Sequence, residues 1–209
     1  MQKLTKNATL LIAMGAIIAT LAVVVQLYIN IENRATSLAQ TLIKFFSYFT
    51  IITNIMVAIC FTSIAIKPSG KWGQFFLKPQ TASAINVYIL VVGLVYNIVL
   101  RWLWSPKGLQ LVVDNLLHVV VPIWFVIYWI IFVPKANLQW KNVFSWLVYP
   151  AIYCVYILIR GVISNQYPYF FIDAGKFGYL QVAVNCTVLL VVFLGLSLLH
   201  IGAAKLMRR

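Results

Sequence analysis

Residues 8–31, ATLLIAMGAIIATLAVVVQLYINI, contain no charged side chain, and the stretch is longer than the roughly 20 apolar residues that a helix needs to cross a bilayer. Five further stretches have the same character, at residues 43–66, 82–104, 111–133, 143–163 and 179–201. The loops between them are short. The sequence therefore predicts an all-α polytopic membrane protein, with residues 1–209 forming one domain of six transmembrane helices.

The composition excludes a water-soluble domain. Hydrophobic residues make up 63% of the chain and charged residues only 9%, whereas a soluble fold carries about a quarter charged residues. In a soluble protein, the net charge of +13 would suggest binding to nucleic acid. In a helical membrane protein the same excess is an orientation signal, so we expect membrane lipids as partners and no nucleic acid.

The distribution of Lys and Arg predicts that both termini are cytoplasmic, because cytoplasmic loops collect these residues. With the N-terminus inside, six basic residues fall outside and ten fall inside, namely Lys3, Lys6, Lys67, Lys71, Lys78, Lys135, Lys141, Lys205, Arg208 and Arg209. All three acids, Glu32, Asp114 and Asp173, fall outside. We expect a multi-pass protein of the plasma (inner) membrane.

Each predicted span places its most polar stripe in its outward half. The stripes, in chain order, are Gln26 and Asn30; Ser47, Thr50, Thr53 and Asn54; Asn97 and Arg101; Asp114, Asn115 and His118; Tyr149, Tyr153, Tyr156 and Arg160; and Gln181 and Asn185. Polar groups that face lipid would be unpaired at high cost. The pattern therefore predicts a polar cavity in the outer half of the membrane, closed on the inner side by an apolar plug.

Thr50 and His118 are the candidate reactive residues of this cavity. Each lies about seven residues inside the outer end of its predicted span, which puts both at a depth of roughly 10 Å. They can meet if the second and fourth spans adjoin. A buried histidine in a membrane helix is costly, and such residues often mark functional sites.

Two neighbours of His118 bear on its environment. Pro122 has no N–H for the His118 carbonyl, so we expect a kink that leaves this acceptor free. Asp114 lies one turn before His118 and can either orient the imidazole or form an ion pair with Arg101 or Arg160. We expect the ion pair, because an unpaired buried carboxylate is costly.

The sequence offers no metal or cofactor site. Cys60, Cys154 and Cys186 lie within spans at unrelated spacings, which indicates buried structural thiols. Only one histidine has a useful depth, with too few carboxylates or thiolates nearby for a metal or haem centre.

Several segments resemble bacterial relatives of the androgen-induced-gene family. They are FFSYFTIITN at 45–54, DNLLHVVVPIW at 114–124, the W-x-x-Y-P-x-x-Y-x-x-Y pattern beginning at Trp146, and YPYFFIDAGKFGY at 167–179. The resemblance covers most of the chain and implies six membrane helices. Animal members of the family are threonine hydrolases of fatty-acid esters of hydroxy fatty acids.

The resemblance also implies which residues react. The family's nucleophilic threonine lies in an aromatic-x-Thr segment of the second helix, which Tyr48-Phe49-Thr50 matches better than Thr53 does. The family's catalytic histidine, in the fourth helix, matches His118. The hypothesis is therefore an intramembrane lipid-ester hydrolase that needs no cofactor, with Thr50 as nucleophile and His118 as base.

The other polar residues are supporting candidates. Asn54, Asn97, Asn185 and the hydroxyls of Tyr153 and Tyr156 are candidate oxyanion donors. Arg101 and Arg160 are candidates for holding a fatty-acid carboxylate.

Two other functions stay open at this point. A proton-coupled small-molecule transporter would use Asp114 and His118 as a relay. A non-catalytic lipid-binding protein would use the polar cluster only to join helices.

Overall fold

The computed structural model describes residues 5–207. Three of the basic residues counted for orientation, Lys3, Arg208 and Arg209, lie outside the described residues. The described chain is helical and contains no strand, so the all-α prediction is confirmed. Six helices are long and apolar enough to span a membrane. In chain order, these first to sixth spans are Lys6–Glu32, Phe49–Ile66, Pro79–Leu103, Gly108–Phe132, Asn142–Ser164 and Ala174–Leu206.

Local sequence explains where several spans begin and end. The Thr5 side chain accepts a hydrogen bond from the Ala8 N–H at 3.2 Å and caps the first span. Pro79 occupies the first position of the third span, where its missing N–H costs nothing. Asn165 ends the fifth span at a φ of 51°. Gly178 interrupts the sixth with a φ of 75°, so regular helix resumes at Tyr179, where the predicted span starts.

The second span begins later than predicted. Leu38–Phe45 is a separate helix with a capping box formed by Ser37 and Gln40, and the spanning helix begins only at Phe49. Hydropathy does not reveal this break, because the segment is apolar on both sides of it. The prediction that Thr50 lies seven residues inside its helix is therefore wrong, since Thr50 occupies the first turn.

The third and fourth spans contain wide turns of π-helix. These turns cover Tyr96–Leu100 and Leu116–Val120. The second ends just before Pro122, so the interruption predicted at this proline takes the form of a π-helical turn. Both π segments lie in the halves of their spans that carry the predicted polar stripes.

The chain divides into two compact units, Met1–Asn137 and Leu138–Arg209. In the first unit, Ala22, Phe45, Ile51, Val113 and Leu117 form one buried apolar cluster. This cluster joins the first, second and fourth spans at the level of the second span's first turn. The second and fourth spans therefore adjoin, as the pairing of Thr50 with His118 requires.

The other end of the first unit, where the apolar plug is predicted, contains a cavity. The ends of the first, second and fourth spans line a cavity of about 400 Å³ there, and its wall includes Thr5, Ile64 and Phe132. Hydropathy does not predict this cavity, because it does not report how completely side chains fill the space between helices.

In the second unit, aromatic contacts join the fifth and sixth spans. The rings of Trp146 and His200 lie edge to face with centroids 6.0 Å apart. A Cβ on Gly161 would come within 1.9 Å of the Tyr167 ring, so this position in the fifth span has no room for a side chain.

Candidate functional site

His118 is held by the turn that precedes it in the fourth span. Its Nδ1 atom lies 2.9 Å from the backbone carbonyl oxygen of Asp114 and 3.4 Å from Asp114 Oδ1. A carbonyl oxygen only accepts, so this geometry assigns the proton to Nδ1. The remaining ring nitrogen, Nε2, then carries a lone pair and can act as a base.

Tyr96 of the third span completes this cluster, and sequence reasoning missed it. Its ring stacks on the His118 imidazole at a centroid distance of 3.8 Å and an interplanar angle of 14°, while its hydroxyl donates to Asp114 Oδ2. One signal was available, because Tyr96 immediately precedes Asn97, a member of the predicted stripe. We refer to Tyr96, Asp114 and His118 as the triad.

The carboxylate of Asp114 lies inside the triad rather than in the expected ion pair. Asp114 is buried, and its oxygens face Tyr96 and His118. The exposed Arg101 instead donates from Nη1 to Asn97 Oδ1 at 2.8 Å. Side chains of the third and fourth spans thus face the carboxylate, and the expectation of an Asp114–Arg101 ion pair is wrong.

The carbonyl of His118 is not left free. Asn97 donates from Nδ2 to this oxygen at 3.2 Å and to the Gly93 carbonyl at 2.8 Å. The proline at position 122 therefore creates an acceptor, as predicted, but an asparagine of the neighbouring span binds it. Gly93 permits the close approach, because a Cβ there would lie 3.3 Å from the His118 oxygen.

Asn54 of the second span also donates to a backbone carbonyl of the fourth span. It is fully buried, and its Nδ2 donates to the Thr50 carbonyl at 2.8 Å and to the Leu117 carbonyl at 3.3 Å. In the π turn, the Val121 N–H donates to the Leu116 carbonyl and not to the Leu117 carbonyl, as it would in an α-helix. Two consecutive carbonyls of the fourth span, those of Leu117 and His118, are therefore bound by asparagines from two neighbouring helices.

These bonds locate Thr50 relative to the triad. Thr50 is buried, with 9% of its surface exposed, and its carbonyl shares the Asn54 amide with the residue that precedes His118. Ile51 packs in the same cluster as Leu117. The structure thus places six predicted residues in the first unit, Thr50, Asn54, Asn97, Arg101, Asp114 and His118, and five of them in one hydrogen-bonded region with Arg101 at its exposed edge.

The remaining predicted residues lie in the second unit, where two of them anchor the loop between the fifth and sixth spans. Asn185 donates to the Phe171 carbonyl at 2.6 Å, and Arg160 donates from Nη1 to the Gln166 carbonyl at 2.9 Å. Tyr153 is buried whereas Tyr156 is 41% exposed. The bonds of Asn185 and Arg160 are those of residues that shape a loop.

Across residues 5–207, no three His, Cys, Asp or Glu side chains form a group that could hold a metal ion. The fold and the buried polar site define a multi-pass helical membrane protein. No protein-family model, no curated protein and no solved structure matches the chain.

Proposed function

We propose that this protein is an intramembrane hydrolase of lipid-like esters, of the fatty-acid ester of hydroxy fatty acid type, with Thr50 as nucleophile and His118 as base. The observation that carries the proposal is the geometry of His118. Asp114 engages Nδ1 through its backbone and its carboxylate, which fixes the tautomer and leaves Nε2 as the basic nitrogen. A base oriented by a third group is the arrangement that activates hydroxyl nucleophiles.

The reaction has two steps. His118 Nε2 takes the Thr50 hydroxyl proton while Oγ1 attacks the ester carbonyl carbon, and the bond to the alcohol oxygen then breaks as the imidazolium returns the proton to the leaving alcohol. In the second step, His118 takes a proton from a water molecule as its oxygen attacks the acyl carbon. The bond between that carbon and Thr50 Oγ1 then breaks, the imidazolium returns the proton to Oγ1, and the fatty acid is released. The nearby Asp114 carboxylate stabilises the imidazolium that forms in each step.

Asn54 and Asn97 do not have the role of oxyanion donors that the sequence suggested for them. The Nδ2 atoms of Asn54 and Asn97 donate to backbone carbonyls, so these residues position the helices instead of binding an oxyanion. Thr50 lies in the first turn of a helix whose N-cap, Tyr48, makes no side-chain cap. Helix starts supply N–H donors and a favourable dipole for negative charge, so we assign oxyanion stabilisation to this turn.

The test is hydrolysis of a fatty-acid ester of a hydroxy fatty acid by the purified protein in liposomes. We expect turnover by the wild type and a loss of about 10²–10⁴-fold for Thr50→Ala and for His118→Ala. Thr53→Ala is the matched control, because Thr53 is also buried in the second span, and it should keep most of the activity. Equal turnover in all four proteins would refute the assignment.

The triad itself favours a second candidate, a proton-coupled small-molecule carrier. Tyr96, Asp114 and His118 form a connected chain of three titratable side chains, which is an arrangement suited to a proton relay within a membrane. This candidate needs Asp114 and does not need Thr50. Proton-driven uptake into liposomes that survives Thr50→Ala but not Asp114→Asn would favour the carrier over the hydrolase.

A further inference from the structure

The cavity between the ends of the first, second and fourth spans lies at the end of the first unit that is remote from the triad. Its volume of about 400 Å³ falls within the range of about 300–1,000 Å³ typical of small-molecule sites. Ile12, Ile64, Leu77 and Phe132 contribute apolar wall, and Thr5, Thr9 and Gln74 contribute polar atoms. The mixture suits a molecule with an apolar body and a polar end.

Four lysines are sequence neighbours of residues that line this cavity. Lys6, Lys67, Lys78 and Lys135 are each adjacent in sequence to a lining residue, respectively Thr5, Pro68, Leu77 and Pro134. Among the described residues of the first unit, the only acids are Glu32 and Asp114. Both lie toward the opposite ends of their spans, so no carboxylate compensates the lysines at this rim.

The four lysines are not equivalent. Lys135 donates to the carbonyls of Trp129 and Ile130 at 2.5 and 2.6 Å and lies over the Trp129 ring. Burial lowers the pKa of Lys135, and its ammonium caps the C-terminal end of the fourth span. Lys67 and Lys78 are exposed and make no hydrogen bond through their side chains to another described residue. The Lys78 ammonium lies 5.9 Å from the centroid of the Phe75 ring, but no carboxylate neutralises either charge.

We propose that this cavity binds an anionic phospholipid, with part of an acyl chain against the apolar wall and the phosphate at the lysine rim. The charge of the rim selects the ligand, because basic pockets between membrane helices attract anionic headgroups. The apolar wall argues for a lipid over a free anion. This face is the one predicted to be cytoplasmic, and the site is separate from Thr50 and His118.

Native mass spectrometry of the detergent-purified protein tests the proposal with phosphatidylglycerol and phosphatidylcholine of identical acyl chains. We expect the wild type to retain phosphatidylglycerol preferentially. Lys67→Gln/Lys78→Gln should weaken that binding about thirty-fold, on the basis of about 1 kcal/mol per lysine. Lys44→Gln/Lys107→Gln is the matched control, because it removes two exposed lysines elsewhere in the same unit, and it should leave binding unchanged.

A second pair of variants tests the cavity itself. Ala65→Phe fills the cavity, whereas Ala58→Phe places the same side chain in a different groove, between the first and second spans. We expect Ala65→Phe alone to abolish preferential retention. Equal loss in the two lysine pairs, or retention by Ala65→Phe, would overturn the proposal. If inorganic phosphate alone raised the melting temperature as much as phosphatidylglycerol does, the site would bind free phosphate and the lipid assignment would be wrong.

Discussion

Asn97 of the third span donates from Nδ2 to the backbone carbonyl of His118 at 3.2 Å, and this is the carbonyl for which Pro122 supplies no N–H. The proline and the asparagine therefore act as a pair. The proline removes a helical donor, and the asparagine supplies one from another helix. Together they fix the third span against the segment that carries the triad.

Asn97→Ala should destabilise the protein by about 1–3 kcal/mol, because it leaves a partly buried carbonyl with one donor fewer. Unfolding in detergent, followed by circular dichroism, measures the change. Asn115→Ala is the matched control, since the side chain of Asn115 donates to the Leu111 carbonyl within its own span, and it should cost less.

The loss should depend on the proline. Pro122→Ala restores an N–H to the fourth span, so we expect Asn97→Ala to cost less in that background than in the wild type. Additive effects of the two substitutions would show that the asparagine does not compensate for the proline.

A glutamine pair joins the first and fourth spans. Gln110 donates from Nε2 to Gln26 Oε1 at 2.9 Å, and Gln26 donates in return to Gln110 Oε1 at 3.3 Å. Gln26→Leu or Gln110→Leu alone should destabilise by about 1 kcal/mol, because each removes the reciprocal bonds between two partly buried amides. In Gln110→Leu the Gln26 amide keeps its bond to Asn30, so this variant should cost less than Gln26→Leu. The double substitution should cost less than the sum of the two, as measured by a double-mutant cycle of unfolding free energies.

Close packing at Gly15 gives a prediction about the fold. A Cβ at this position would lie 2.7 Å from the Phe61 ring and 2.9 Å from the Trp124 ring. Gly15→Ala should therefore cost about 1–3 kcal/mol through overpacking. Gly195→Ala is the control, because nothing lies within 4 Å of a Cβ there, and helix propensity should make it neutral or stabilising. Equal melting temperatures for the two variants would contradict the packing described for the first span.

Hydropathy was enough to predict the six spans, because a membrane helix must be apolar over a fixed length. It did not predict the break before Phe49, where apolar residues continue on both sides. Helical spacing identified Asp114 and His118 as neighbours, since that contact lies within one helix. The role of Tyr96 was not predicted, because its contacts join two helices. The π turns also alter which side chains of the two helices face each other.

The hydroxyl of Tyr96 provides a test that separates the two candidate functions. Tyr96→Phe keeps the ring that stacks on His118 and removes the donor to Asp114. In a hydrolase, Asp114 still engages Nδ1 of His118, so ester hydrolysis should fall by about tenfold or less, which corresponds to one hydrogen bond of about 1–1.5 kcal/mol. In a proton relay through the triad, the substitution removes a titratable member, and proton-driven uptake should be abolished. Measuring both activities on Tyr96→Phe, with Tyr28→Phe as a control at an exposed tyrosine of the first span, distinguishes the outcomes. A complete loss of hydrolysis in Tyr96→Phe alone would contradict the assignment of Asp114 as sufficient to orient His118.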